Sequence, residues 1–456
     1  MFKQNAWNNY SEETKKDVFA LAEDYKDFIA EAKIEREFTS NSIPLLEKAG
    51  FKLFKTSDKL KAGDKVYSIN KNKNVLAFII GKKPLEEGLR ILGAHIDSPR
   101  IDIKQNPLYE SGEFALFDTH YYGGIKKYQW TTVPLCLMGV VVKKDGTSVK
   151  INIGNKKEDP IFGISDLLVH LAADQMTKPA GKVVEGENLD ITIGNMPLKG
   201  SDKNPVKANI LKILKDTYGI DEEDFLSAEI EAVPALEPRD YGLDRSMIAA
   251  YGHDDKCCAY TSLRAILDIK GIPEYTSCCI LVDKEEIGSV GATGAQSTFF
   301  EDTVADVLVS CGNSNINAIR HCLTNSKMLS SDVSAGFDPL YAEVFEEKNS
   351  CYLSKGVVFN KYTGARGKSG CNDANPEYLA WLRSILDDAN IDYQTSELGK
   401  VDVGGGGTIA YILGNKNMNV VDAGIAVLNM HSPMEIISKA DLYETYRCYV
   451  AFLEAK

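Results

Sequence analysis

Apolar positions at helical spacing open the chain. Val18, Leu21, Tyr25, Phe28 and Ile29 recur every three to four residues, which predicts a helix over 12–33. A second apolar-periodic stretch, 43–49, ends at Gly50, a residue suited to a helix C-terminus. Residues 75–80 and 89–95 are almost wholly apolar, as buried strands are. The turn-rich GKKPLEEG between them predicts that the two pair. The pattern then changes. VVV and SVKINI flank Asp145-Gly146, the signature of a hairpin over 140–153. Residues 188–193 alternate again, while 166–176 and 208–217 carry helical spacing. After Tyr241, strand and helix alternate once more. A helix is predicted over 254–269, closing at Gly271, then a buried strand over 277–282 and another over 425–429. A last helix, 440–455, is introduced by Ser438 and Asp441 as a variant capping box. The expected fold is α/β with a mixed sheet: 1–100 and 241–456 form one domain, interrupted by an inserted strand-rich domain over 101–240.

Composition narrows the function classes. At 456 residues the chain is long enough for two domains. The formal net charge of −13 argues against a nucleic-acid partner or an anionic membrane surface, each of which needs a basic stripe. The opening MFKQNAWNNYSEETKKD lacks the apolar core of a signal peptide. The longest largely apolar stretch, 133–142, is short of the roughly 20 residues of a membrane helix. Ten cysteines occur without a C-x-x-C; adjacent cysteines on apolar patterns read as small buried hydrophobes. The expected compartment is the cytoplasm.

Acids and histidines stand at or just past the ends of apolar runs: His95 and Asp97 in GAHIDSPR, Asp254 and Asp255 in GHDDK, Glu285 and Glu286 in DKEEIGS, Asp332 in SSDVSAGFDP, His431 in MHSPMEI. Each has an ordinary reading alone. The HxD is a satisfied structural histidine, the Asp pair a helix cap, the Glu pair solvated charges, Asp332 a turn former, and His431 a histidine at a strand exit. Together they are what divalent metals open to water need. Asp97 is placed to accept the proton on the far nitrogen of His95. In extended backbone Glu285 and Glu286 would point opposite ways, one to metal and one to water.

Taken in order, GAHIDSPR, GHDDK, DKEEIGSVGATGAQS, SSDVSAGFDP and MHSPMEI resemble the aspartyl aminopeptidase family of dinuclear zinc exopeptidases, over roughly residues 90–435. The resemblance implies a catalytic α/β domain of the zinc exopeptidase type interrupted by a dimerisation domain. It also implies two divalent metal ions, zinc first, with cobalt or manganese as alternatives. His95 and Asp332 would take one ion, Glu286 and His431 the other, and Asp254 would bridge, with Asp255 as the alternative bridge. The peptide bond after the bridging carboxylate would be cis. Glu285 falls at the general-base position and Asp97 supports His95. His170 matches a histidine that reaches a neighbouring subunit's substrate pocket, and Lys361, in NKYTGARGKSG with Arg366 and Lys368, lies where an acidic substrate side chain would be held; on a bland reading His170 is a histidine on a partly apolar helix and the loop of Lys361 is simply solvated. The implied protein is a cytoplasmic aminopeptidase of peptides with Asp or Glu as its candidate preference, assembled as dimers into a dodecamer. The rival readings are a dinuclear deacylase or carboxypeptidase, and a non-catalytic peptide-binding assembly protein on the same fold.

Overall fold

The computed structural model describes residues 4–456. Two compact units are distinguished. The first comprises residues up to Asp97, Pro238–Met430 and Glu435–Lys456; the second comprises Ser98–Glu237 and His431–Met434.

The first unit is built on a nine-stranded mixed sheet. Its strands run in the order Lys52–Leu53, Lys65–Asn70, Asn74–Ile79, Thr276–Val282, Leu89–His95, Lys327–Ser330, Asn419–Gly424, Val357–Asn360 and Tyr393–Thr395. The four strands from Thr276–Val282 to Asn419–Gly424 are mutually parallel. Both faces are covered, which is why these strands are continuously apolar. Leu92, Ala94, Cys279 and Leu281 face a core shared with the helices Glu12–Glu31, His253–Asp268 and Lys439–Glu454. Ile91, Cys278, Ile280 and Val282 face the helices Phe299–Ser310 and Ala318–Asn325. A five-stranded sheet, Arg239–Tyr241, Met247–Ala250, Glu435–Ser438, Ala426–Leu428 and Ser334–Ala335 in that order, completes the unit.

The second unit is an antiparallel six-stranded sheet, ordered Ser148–Ile153, Leu135–Val142, Ala228–Pro234, Arg100–Ser111, Phe114–Tyr122 and Ile191–Gly194. Its predicted hairpin forms, with Gly146 at φ +86° in the turn. The helix Pro205–Tyr218 contains the predicted 208–217.

Local signals explain most helix ends. Ser11 Oγ accepts the Thr14 N–H at 3.1 Å, and Glu12 and Glu13 lie in the first turn where carboxylates are favoured. Four readings need correction. The strands predicted over 75–80 and 89–95, observed as Asn74–Ile79 and Leu89–His95, do not pair; Thr276–Val282 lies between them, antiparallel to one and parallel to the other. Residues 166–176 form no helix, only the 3-10 turns Val169–Leu171 and Gln175–Thr177. Leu167, Leu168, Val169 and Leu171 are exposed there, so no core supports a helix. The second helix begins earlier than its apolar stretch, at Glu35, and runs to Lys48. Asp441 does not cap its own helix: its oxygens accept the Ser354 and Gly356 N–H groups, each at 2.7 Å, and Ser438 Oγ alone caps, on Ala440 N.

Candidate metal centre

His95 is the last residue of the central strand, at the carboxyl edge of the parallel strands where such sheets place their chemistry. The ring is buried. Nδ1 lies 3.3 Å from Asp97 Oδ1 and 3.1 Å from the Asp97 carbonyl oxygen. Nε2 faces Asp254 Oδ1 at 3.2 Å, with Glu285 Oε2 at 3.9 Å and Asp332 Oδ1 at 4.0 Å. His95, Asp254 and Asp332 offer donor atoms within 4.8 Å of one another, and Asp254 and Glu286 do the same.

The helix carrying Asp254 starts after Gly252, at φ +75°, and both aspartates have non-helical dihedrals. The Asp254–Asp255 peptide is cis. Asp254 N–H donates to Glu435 Oε2 at 2.9 Å. Asp255 turns the other way: fully buried, it stands 3.4 Å from the His95 N–H through Oδ2 and groups with Cys257 and Cys258. Of the adjacent pair, Asp254 is the one that faces His95, Asp332 and Glu286.

Glu285 and Glu286 do not sit on extended backbone. They open the 3-10 turn Glu285–Ile287, between Lys284 at φ +70° and Gly288 at φ +97°. Their successive N–H groups donate to Asp97 Oδ1 at 3.1 Å and Oδ2 at 3.2 Å. Asp97 thus ties the Glu pair to the strand that carries His95.

Electrostatics suit a cation. Burial pulls the His95 pKa down, but the hydrogen bonds to Asp254 and Asp97 outweigh it and hold the imidazole well above its usual range. Burial, then repulsion from Asp255, Glu285 and Asp254, drives the Asp332 carboxyl well above the carboxylate range. Burial does the same to Asp255. One imidazole among several carboxylates is a donor set for zinc, and two donors at ~2.0–2.2 Å from one ion stand roughly 3–4 Å apart. The spacings of Asp254 and Asp332 from His95 Nε2, 3.2 and 4.0 Å, fit that requirement.

The other predicted residues lie as follows. His431 follows the strand Ala426–Leu428 and groups with the second unit, where Nδ1 lies 2.7 Å from the Gly124 carbonyl. His170 is exposed in the turn Val169–Leu171. Lys361 is exposed and paired with Asp373, as is Lys368 at 3.0 Å. Its strand, Val357–Asn360, is antiparallel to Asn419–Gly424, so Lys361 leaves the sheet away from the edge where His95 ends. Sequence reasoning missed Glu435, the buried acceptor behind Asp254; its signal was a charged residue opening the apolar run EII in MHSPMEI.

An α/β sheet that gathers an imidazole and carboxylates at its strand ends offers a divalent-metal site of the kind metal-dependent hydrolases use. The chain belongs to the peptidase M18 family, the aminopeptidase I zinc metalloproteases, whose profile matches residues 28–453. It is 58% identical over 455 residues to a probable M18 family aminopeptidase 1 of Clostridium acetobutylicum, covering 99% of this chain and 98% of that one. The crystal structure of aminopeptidase I from the same organism superposes with a TM-score of 0.93 at 56% identity, covering 100% of both chains. The M18 aminopeptidase crystal structure from Thermotoga maritima gives 0.95 at 44% identity, covering 100% of this chain and 99% of that one. The protein is therefore a metal-dependent aminopeptidase; the deacylase, carboxypeptidase and non-catalytic readings fall away.

Proposed function

We propose that the protein hydrolyses the N-terminal residue from peptides at a centre for two divalent metals, zinc first, with Glu285 as general base. The observation that carries this is the convergence of Asp254, Glu285 and Asp332 on His95 Nε2, with Asp254 also in reach of Glu286. His95 and Asp332 would hold one ion, Glu286 and His431 the other, and Asp254 both; with His431 Nδ1 engaged by Gly124, Nε2 is the ligand atom. Bound metal would polarise the scissile carbonyl and lower the pKa of the attacking water. Glu285 takes a proton from that water as its oxygen bonds to the carbonyl carbon. The C–N bond then breaks and Glu285 delivers the proton to the leaving amine. Asp97 holds the His95 ring and the Glu285 backbone in place throughout.

The test is metal analysis beside kinetics. The purified protein should carry two ions per chain, and a chelator should abolish turnover until zinc, cobalt or manganese is restored. Glu285→Gln should keep its metal and lose roughly 10²–10⁴-fold in turnover; Glu286→Ala should lose metal. Near-normal turnover in Glu285→Gln would remove the base assignment.

For substrate choice we propose a preference for Asp or Glu set by Lys361; the support is the resemblance of NKYTGARGKSG to the family's loop for an acidic side chain, and against it stand the pairing of Lys361 with Asp373 and its exit from the sheet away from His95. Lys361→Ala should then selectively impair Asp- and Glu-initiated peptides. An equal effect on neutral peptides would make Lys361 structural.

Assembly is read from the second unit, where Leu168, Val169, Leu171 and Met176 are 53, 72, 68 and 73% exposed. Such a patch is what an interface between copies would cover. We infer dimers through this unit, built into a dodecamer, with His170 reaching a neighbour's pocket; sedimentation analysis with His170→Ala kinetics tests both. Ten free thiols, most of them buried, support a cytoplasmic setting. Among the described residues no helix is long and apolar enough to cross a membrane.

A further inference from the structure

The loop that carries Glu285 and Glu286 is closed at its base by groups outside the metal centre. Thr293 Oγ1 donates to Asp283 Oδ2 at 2.6 Å, and the Asp283 N–H donates to the Thr293 carbonyl at 3.2 Å. These two bonds close residues 284–292 into a ring. The same Thr293 carbonyl accepts Asn74 Nδ2 at 2.6 Å, and the neighbouring Ala292 carbonyl accepts Asn70 Nδ2 at 2.7 Å. Asn70 and Asn74 pair across the hairpin of Lys65–Asn70 and Asn74–Ile79. That hairpin is in turn hydrogen-bonded to Thr276–Val282, the strand from which Asp283 emerges. Both limbs of the loop are therefore fastened to one rigid sheet. Asn74, Asp283 and Thr293 are all buried, so water competes little for their bonds.

The ring needs fastening. Lys284 and Ser289 hold φ of +70° and +60°, a region that costs a non-glycine residue free energy and persists only where its surroundings impose it. Within the ring the Ser289 N–H donates to the Lys284 carbonyl at 2.6 Å. The returning limb packs so closely that a Cβ on Gly294 would stand 2.2 Å from the Ser289 oxygen. At the far side Asp97 takes the N–H groups of Glu285 and Glu286. The Glu pair is thus held from two directions.

We propose that the Asp283–Thr293 clasp, with Asn74 on its carbonyl, positions the Glu285 carboxylate for proton transfer, making Thr293 and Asn74 positioning residues of the reaction. This rests on Glu285 being the general base. The physical reason is geometric: a displacement near 1 Å at a reacting group costs up to about 10²-fold in rate. Losing one buried hydroxyl bond at the loop base loosens that placement without touching a ligand.

The experiment compares Thr293→Val, which keeps the shape and removes the hydroxyl, with Thr293→Ser, which keeps the hydroxyl. Asn74→Ala and Glu285→Gln run beside them in the zinc-loaded enzyme. Thr293→Val and Asn74→Ala should each lower kcat about 10-fold or more with KM within about 2-fold, metal content unchanged and the protein folded at assay temperature, while Thr293→Ser stays within about 3-fold of wild type. Asn74→Ala carries the test alone should Thr293→Val fail to fold. Wild-type kcat in Thr293→Val or Asn74→Ala, an equal fall in Thr293→Ser, or metal loss like that of Glu286→Ala would overturn the proposal. Full activity in Glu285→Gln would overturn the base assignment and the clasp with it. An inactive Glu285→Gln beside an unaffected Thr293→Val would remove the clasp alone.

Discussion

Asp97 spends both carboxylate oxygens on the backbone N–H groups of Glu285 and Glu286, and the same group stands 3.3 Å from His95 Nδ1. Its removal acts on two functions at once. Asp97→Ala should weaken metal affinity by about 10–100-fold, the usual effect of losing a partner behind a metal-bound histidine. It should also depress turnover, because the Glu285 backbone loses its acceptor. Asp97→Asn keeps one acceptor oxygen and should fall between. Competition titration against a chromophoric chelator measures the affinity; an unchanged value in Asp97→Ala would refute the supporting role. The residues that surround the His95 ring were legible because acids and histidines at the ends of apolar strands are chemically distinctive. The choice between Asp254 and Asp255 was not. Both are carboxylates at a helix start, and what separates them is the direction each side chain takes from non-helical backbone.

At the level of elements, period and turn chemistry revealed strands and helices better than neighbours. The Asp145-Gly146 hairpin was readable because its partners adjoin in sequence. The intrusion of Thr276–Val282 between Asn74–Ile79 and Leu89–His95 was not; its pairing partners lie far away in the chain and its own pattern is merely apolar. Residues 166–176 show the converse, helical spacing with no surface to pack against. The extended reading of Glu285 and Glu286 failed because Lys284 takes a left-handed conformation that turns the chain at once. One close approach between elements carries a prediction. A Cβ on Gly424, at the end of Asn419–Gly424, would stand 1.9 Å from the Asp332 carbonyl oxygen and 3.0 Å from Cys258 Sγ. Gly424→Ala should therefore push the Asp332 segment away from His95. We expect a lower unfolding temperature and weaker metal binding together, read by calorimetry and metal titration. A variant that kept wild-type affinity would show that the Asp332 loop yields without moving its carboxylate.

For the molecule as a whole, buried ionisable groups set how stability follows pH, and Asp441 permits a clean test because it lies outside the residues proposed as ligands. Burial pushes its carboxyl up to about 8; the Ser354 and Gly356 N–H bonds oppose this and the nearby Glu444 adds to it. The unfolded chain should titrate near the ordinary value of about 3.9. A carboxyl whose folded pKa is raised binds its proton more tightly in the native state. Its contribution is therefore fully present below the unfolded pKa and is lost as pH rises through the folded one. Between pH 4 and 8, each unit of pH should remove up to about 1.4 kcal/mol through this one group. Other groups titrate over the same range, so the absolute profile does not isolate Asp441. The difference between wild type and Asp441→Asn does, because the amide keeps an acceptor for one backbone N–H and carries no charge at any pH. Denaturant unfolding across this range, with metal saturating in both proteins, should show wild type losing stability relative to Asp441→Asn as pH rises. Parallel profiles would mean that the two N–H bonds hold Asp441 ionised throughout, and that burial is not what governs this carboxyl.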